Sequence, residues 1–104
     1  MITVINTIKL PKPISQEEAR GIFSSTAPNY QNIPGLLQKI YMLSEDGGEV
    51  GGVYLWRTRQ EAEAMYTDAW RTFVKEKYGA EPSVTYFDSP VVVDNQAQKI
   101  LSNV

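Results

Sequence analysis

The sequence predicts an α+β domain of β-α-β-β-α-β order, a ferredoxin-like arrangement with an antiparallel four-stranded sheet and both helices on one face. Three observations carry this. Four short stretches are rich in β-branched and aromatic residues. Two boxes, Ser15-Gln16-Glu17-Glu18 and Thr58-Arg59-Gln60-Glu61, each open a run of apolar residues at three- and four-residue spacing. Asp46-Gly47-Gly48 separates the middle two strands. At 104 residues the chain has room for one hydrophobic core.

The first strand is Met1 to Leu10, where Ile2, Val4, Ile8 and Leu10 alternate against Thr3, Ile5 and Thr7 before Pro11-Lys12-Pro13 ends it. The Ser15 hydroxyl can then accept from the Glu18 amide while the Glu18 carboxylate returns to the cap. This starts a helix whose apolar stripe is Ala19, Ile22, Phe23, Thr26, Ala27 and Tyr30. Pro28 lacks a backbone donor, so the regular helix should stop near Ser25 or Thr26 and a looser turn should follow.

Leu36 to Leu43 and Val50 to Trp56 should pair across Glu45-Asp46-Gly47-Gly48. A two-residue turn at Asp46-Gly47 or Gly47-Gly48 puts Leu36, Gln38, Ile40, Met42, Val53 and Leu55 on one face. The other face then carries Leu37, Lys39, Tyr41, Leu43, Tyr54 and Trp56. Gly51-Gly52 predicts a bulge or a close backbone approach. The second box leads into a stripe of Ala62, Met65, Tyr66, Ala69, Trp70 and Phe73 that ends at Tyr78-Gly79. Thr67-Asp68 offers an internal cap that can break this helix in two. Ser83 to Phe87 is the fourth strand, and Pro90-Val91-Val92-Val93 reads as an extended arm. A single domain over residues 1–95 is expected, with 96–104 as a polar C-terminal tail.

The chain has no Cys and no His, which removes thiolate nucleophiles, imidazole bases and the commonest transition-metal ligands. Neither a Gly-rich dinucleotide fingerprint nor a phosphate loop is present, so no metal, haem or flavin cofactor is expected. A net charge of −2 offers no basic surface, which argues against nucleic acid as a partner. No apolar run reaches membrane-spanning length and no leader-like segment is seen, so a soluble, cytoplasmic protein without a membrane partner is expected. Both faces of the middle hairpin are apolar although two helices cover only one. A second copy of the same sheet is the economical cover, which predicts a homodimer.

Several segments resemble a known family: Ala27-Pro28-Asn29-Tyr30, Ile33-Pro34-Gly35-Leu36, Leu43-Ser44-Glu45-Asp46-Gly47, Gly51-Gly52-Val53-Tyr54-Leu55-Trp56 and Pro90-Val91-Val92-Val93-Asp94-Asn95. They are similar to the small putative mono-oxygenases of the dimeric α/β-barrel superfamily, which are related to the antibiotic-biosynthesis mono-oxygenases. The resemblance covers residues 1 to about 95, and its most specific part is Gly51 to Trp56. It implies two ferredoxin-like protomers joined through their sheets, an arm reaching the partner, and a cavity between sheet and helices. It also implies oxidation of phenols to quinones by molecular oxygen without metal, flavin or haem.

Such chemistry needs a dry pocket with aromatic walls and a few polar groups that stabilise a phenolate or enolate. The hairpin face bearing Lys39, Tyr41, Tyr54 and Trp56, joined by Tyr66 and Trp70 from the second helix, fits that description, with a small hydrophobic or aromatic molecule as partner. Lys39 is the one cation among these aromatics, although it equally suits an edge lysine reaching for water. The aromatic residues equally suit core or dimer packing. Asn6 is the polar exception in the series Ile2, Val4, Asn6, Ile8, so it is either a ligand contact or a satisfied structural amide. No catalytic base is assigned from the residues. A binding protein that holds a hydrophobic molecule without turning it over is the alternative to a cofactor-free mono-oxygenase.

Overall fold

The computed structural model describes residues 1–102, and its strands and helices follow the expected order. Strand β1 is Ile2–Lys9, helix α1 Gln16–Thr26, β2 Leu36–Leu43, β3 Glu49–Trp56, α2 Arg59–Met65, α3 Asp68–Tyr78 and β4 Ser83–Asp88. The sheet runs β2-β3-β1-β4 with every neighbour antiparallel. Even-numbered residues of β1, namely Ile2, Val4, Asn6 and Ile8, are buried under the helices beside Val50, Tyr54 and Trp56 of β3. Ala19, Ala62, Tyr66, Trp70 and Val74 complete the packing from the helical side. Among the described residues, no helix is long and apolar enough to cross a membrane.

Each helix begins where its cap predicts. Ser15 Oγ accepts from the Glu18 amide at 3.1 Å and the Ser15 amide donates to Glu18 Oε1 at 3.2 Å, which completes the first box. Helix α1 gives way at Thr26 to a 3₁₀ turn over Ala27–Tyr30, as Pro28 requires. The second helix does break. Tyr66 sits at φ −83° and ψ 60°, the Thr67 amide donates to the Met65 carbonyl at 2.9 Å, and Thr67 Oγ1 caps α3 by accepting from the Trp70 amide at 3.2 Å. This is an inverse γ-turn between two helical segments. Helix α3 ends at Gly79, whose left-handed backbone at φ 81° favours glycine.

Three details differ from the sequence reading. The bulge lies in β2 rather than at Gly51-Gly52: Leu36 faces Trp56 but Gln38 faces Leu55, so Leu37 is the extra residue. That slip moves Leu36 onto the helix-covered face with Lys39, Tyr41 and Leu43, while Leu37 is left 50% exposed. For Gly51 and Gly52 the second of the two expected roles, close approach, is the one observed, since a Cβ on Gly51 would run into the Asn6 carbonyl oxygen. The hairpin closes through Ser44, whose amide donates to the Glu49 carbonyl at 2.8 Å, so the loop spans Glu45–Gly48 rather than two residues. It is clamped to the chain after β1 by the Leu10 and Ile14 amides, which donate to the Gly48 and Gly47 carbonyls at 2.9 and 3.0 Å.

Beyond the main sheet, β5 (Val91–Asp94) and β6 (Lys99–Ser102) form an antiparallel ribbon of their own. Residues 99–102 are thus a strand rather than part of a polar tail. The Asp94 carboxylate holds the turn by accepting from the Gln96 and Ala97 amides, both at 3.1 Å. The last two tail residues, 103 and 104, lie outside the described residues. The Cα radius of gyration is 14.4 Å, against about 13 Å for a compact chain of this length. Val91, Val93 and Ile100 of the ribbon are exposed.

Trp56, with no exposed surface, is the largest fully buried side chain. Replacing Trp56 by Ala should cost about 3–5 kcal/mol of stability, read as a lowered denaturant midpoint in equilibrium unfolding.

Candidate functional site

Between the sheet and the helices the structure encloses a small cavity bordered by Asn6 of β1, Lys39 and Tyr41 of β2, Tyr54 of β3, Trp70 of α3 and Tyr30 of the 3₁₀ turn. The pleat puts Asn6, Gly52 and Tyr41 in one row across three strands, with Val4, Tyr54 and Lys39 in the next. Five of the seven residues singled out from the sequence therefore meet here. Trp56 and Tyr66 do not line the cavity. They stand behind it, where Trp56 Nε1 donates to the Tyr66 hydroxyl at 3.0 Å and the Tyr66 ring meets Tyr54 edge-on at 5.3 Å. Tyr30, Thr26 and Tyr78 also line the cavity and were missed as site residues by sequence reasoning, although Tyr30 ends the α1 stripe after Pro28. Trp70 Nε1 donates to the Tyr30 hydroxyl at 3.2 Å and holds the ring in place.

The Lys39 amine lies on three tyrosine faces, with Nζ 3.3 Å from the Tyr30 centroid, 3.9 Å from Tyr41 and 4.8 Å from Tyr54. No ion pair to Lys39 exists among the described residues. Removed from water and without a carboxylate, the ammonium form is disfavoured, and burial pulls the Lys39 amine down to about 7. Burial pushes the Tyr54 and Tyr66 hydroxyls up, well clear of neutrality, so both remain protonated. Tyr41 is also raised by burial, partly offset by the Thr26 hydroxyl 2.8 Å from its own.

Asn6 is 4% exposed, and its Oδ1 is buried without a hydrogen-bond partner among the described residues. A β-carbon placed on Gly52 would lie 3.1 Å from Asn6 Oδ1, 3.2 Å from Lys39 Cε and 3.0 Å from Tyr54 Cε1. The missing side chain of Gly52 thus makes the hollow these three groups share. The free volume is about 20 Å³, enough for one water. A larger open groove of about 680 Å³ runs between α1 and the β2–β3 loop. Tyr41 borders both spaces and stacks on Phe23 at 4.7 Å. Among the described residues, no three acidic side chains gather as a metal site.

A model of the family described as "Putative mono-oxygenase ydhR" matches residues 5–89. None of the curated proteins matches the sequence. The fold is similar to that of a monooxygenase from the gene ActVA-Orf6 of Streptomyces coelicolor, solved with the ligand nanaomycin D, at 17% identity, TM-score 0.65 and coverage of 85% of this chain and 86% of that one. It is also similar to SnoaB, a cofactor-independent oxygenase from Streptomyces nogalater, at 13% identity, TM-score 0.61 and coverage of 85% and 91%. A putative antibiotic biosynthesis monooxygenase from Deinococcus radiodurans aligns at 11% identity and TM-score 0.66 over 90% and 97%. The family match spans both strands of the hairpin, both helical stretches and the cavity between them, and with it the chain belongs to the ydhR family of putative mono-oxygenases.

Proposed function

We propose that the protein is a cofactor-independent mono-oxygenase that oxidises a small hydroxylated aromatic compound to a quinone and acts as a homodimer. The observation that carries this is the pairing, in one aromatic cavity, of an amine near neutrality with an unpartnered amide oxygen. Asn6 Oδ1 accepts the substrate hydroxyl, Tyr30, Tyr41, Tyr54 and Trp70 wall its ring, and Trp56 and Tyr66 hold those walls. The free Lys39 amine then takes the hydroxyl proton, and the resulting ammonium donates one N–H to the phenolate and another to Asn6 Oδ1, so the amide oxygen does not face the anion unpartnered. An electron-rich phenolate can reduce oxygen directly. For 1-naphthol, one oxygen atom enters the ring, the other leaves as water, and naphthoquinone is the product.

The dimer is supported by the sheet face that the helices leave bare. Ile5, Met42, Val53 and Leu55 are half-buried there, and Ile40 and Phe87 are exposed. An apolar surface of this kind calls for a partner, and a second sheet of the same shape packs against it. The exposed valines of the β5–β6 ribbon are a second apolar surface suited to the same partner. In sedimentation at micromolar concentration the protein should run at twice the chain mass, and Ile40→Asp should shift it to the monomer. A folded wild-type monomer would refute the dimer.

Oxygen uptake with 1-naphthol, in metal-free buffer under labelled oxygen, should place one labelled atom in the quinone. Saturable binding with no uptake across naphthols and hydroquinones would replace the oxygenase by a binding protein. Lys39→Met should lower turnover about 100-fold.

Proton linkage gives a separate check. The folded amine sits near 7 against 10.5 in the unfolded chain, so between these values the unfolded state binds more protons and stability rises with pH. The burial cost of the ammonium is fully present below pH 7 and gone above 10.5. The stability of wild type relative to Lys39→Met should therefore climb across that window, and the Lys39 Cε chemical shift should titrate near 7. Turnover should rise through the same midpoint. A midpoint in the ordinary lysine range would remove Lys39 as the base.

A further inference from the structure

The cavity next to Lys39 holds about 20 Å³, whereas a dry pocket that takes a single benzene ring measures roughly 150 Å³. No aromatic ring enters while the Lys39 side chain lies where it does. That side chain crosses the hollow above Gly52, and its amine rests on the faces of Tyr30 and Tyr41. From this we infer that Lys39 is an internal occupant of the ligand site: the site takes the hydroxyl-bearing end of one flat aromatic compound, and binding swings the lysine stem to the rim of the cavity, with the amine still within reach of the ligand hydroxyl.

Three features fit displacement rather than permanent residence. Lys39 stands on β2, the edge strand, so its side chain can turn outward without breaking the ladder to β3. Its amine has no hydrogen bond or ion pair among the described residues, and burial works against its charge. The Asn6 carboxamide stays behind with an unmet acceptor, and a buried acceptor is costly until a donor arrives. A ligand hydroxyl supplies that donor, and the ligand ring takes over the tyrosine faces that now hold the amine. Gly52 keeps the space open, since any side chain there would meet Asn6 and Tyr54.

This inference rests on the same site as the oxygenase reading, so its test uses a ligand that oxygen does not consume. The probe is 1-naphthalenemethanol, an aromatic ring with a hydroxyl that is not a phenol, and calorimetry gives its affinity. Lys39→Ala should bind it at least fivefold more tightly than wild type. Lys39→Met keeps most of the stem volume without the charge, and should stay within twofold of wild type. Equal or weaker binding by Lys39→Ala would overturn the inference, and so would a gain in Lys39→Met as large as in Lys39→Ala, because charge rather than volume would then be responsible. Asn6→Leu should weaken the alcohol at least fivefold and leave 1-methylnaphthalene unaffected. Equal losses for both compounds would remove Asn6 as the hydroxyl's acceptor. Lys39→Ser repeats the truncation if Lys39→Ala melts early. Absent oxygen uptake alongside tighter binding by Lys39→Ala would reject the oxygenase and keep the displaced lysine. Uptake without that gain would do the reverse.

Discussion

A fully buried indole N–H has to find an acceptor, and in this protein the Trp56 indole finds it in the hydroxyl of Tyr66. Much of the helical layer depends on that bond. Tyr66 can reach Trp56 because it occupies the turn between α2 and α3. A helix running straight through residue 66 would carry the ring elsewhere. Once placed, the Tyr66 ring makes edge-on contacts with Tyr54, Trp56, Trp70 and Tyr86 at 5.0–6.0 Å. Edge-to-face packing of this kind is directional, so one ring sets the orientation of several others. Trp70 passes the constraint on through its own indole N–H to Tyr30, and Tyr30 faces Lys39.

The sheet separates two tasks by the pleat alone. Helix-covered positions carry the aromatic network, the amide of Asn6 and the amine of Lys39. Open positions carry Ile5, Ile40, Met42, Val53, Leu55 and Phe87, and the charged pair on that face, Lys9 and Glu49, stands at the end of the β1–β3 ladder. The buried amide and amine are thus kept where tyrosine and indole groups surround them. Apolar side chains are kept where another sheet can cover them. The acceptor on the covered side left without a partner among the described residues, Asn6 Oδ1, lies beside the one lysine that burial has brought toward neutrality. Functional sites are where local rules of this kind are broken, because a satisfied group has nothing left to offer a ligand.

Local patterns in the sequence determined the element order, both helix starts, the stop at Thr26 and the break before α3. Each depends on residues within one turn of the chain: a hydroxyl four positions before its apolar stripe, a proline without a donor, a threonine that caps. The alternation in β1 also marked Asn6 as the polar residue among buried ones, and the hairpin pairing put Lys39 with Tyr54. What only the tertiary structure decided is where long-range contacts outvote local parity. The extra residue at Leu37 exchanged the faces of Leu36 and Leu37, because the Leu36 side chain packs into the core once the strand slips. Trp56 and Tyr66, the right residue types for a wall, were drawn behind it by their mutual hydrogen bond. Tyr30 was brought to Lys39 by an indole forty positions away. That Asn6 Oδ1 has no partner depends on every neighbour around it at once, and a linear sequence does not contain that neighbourhood.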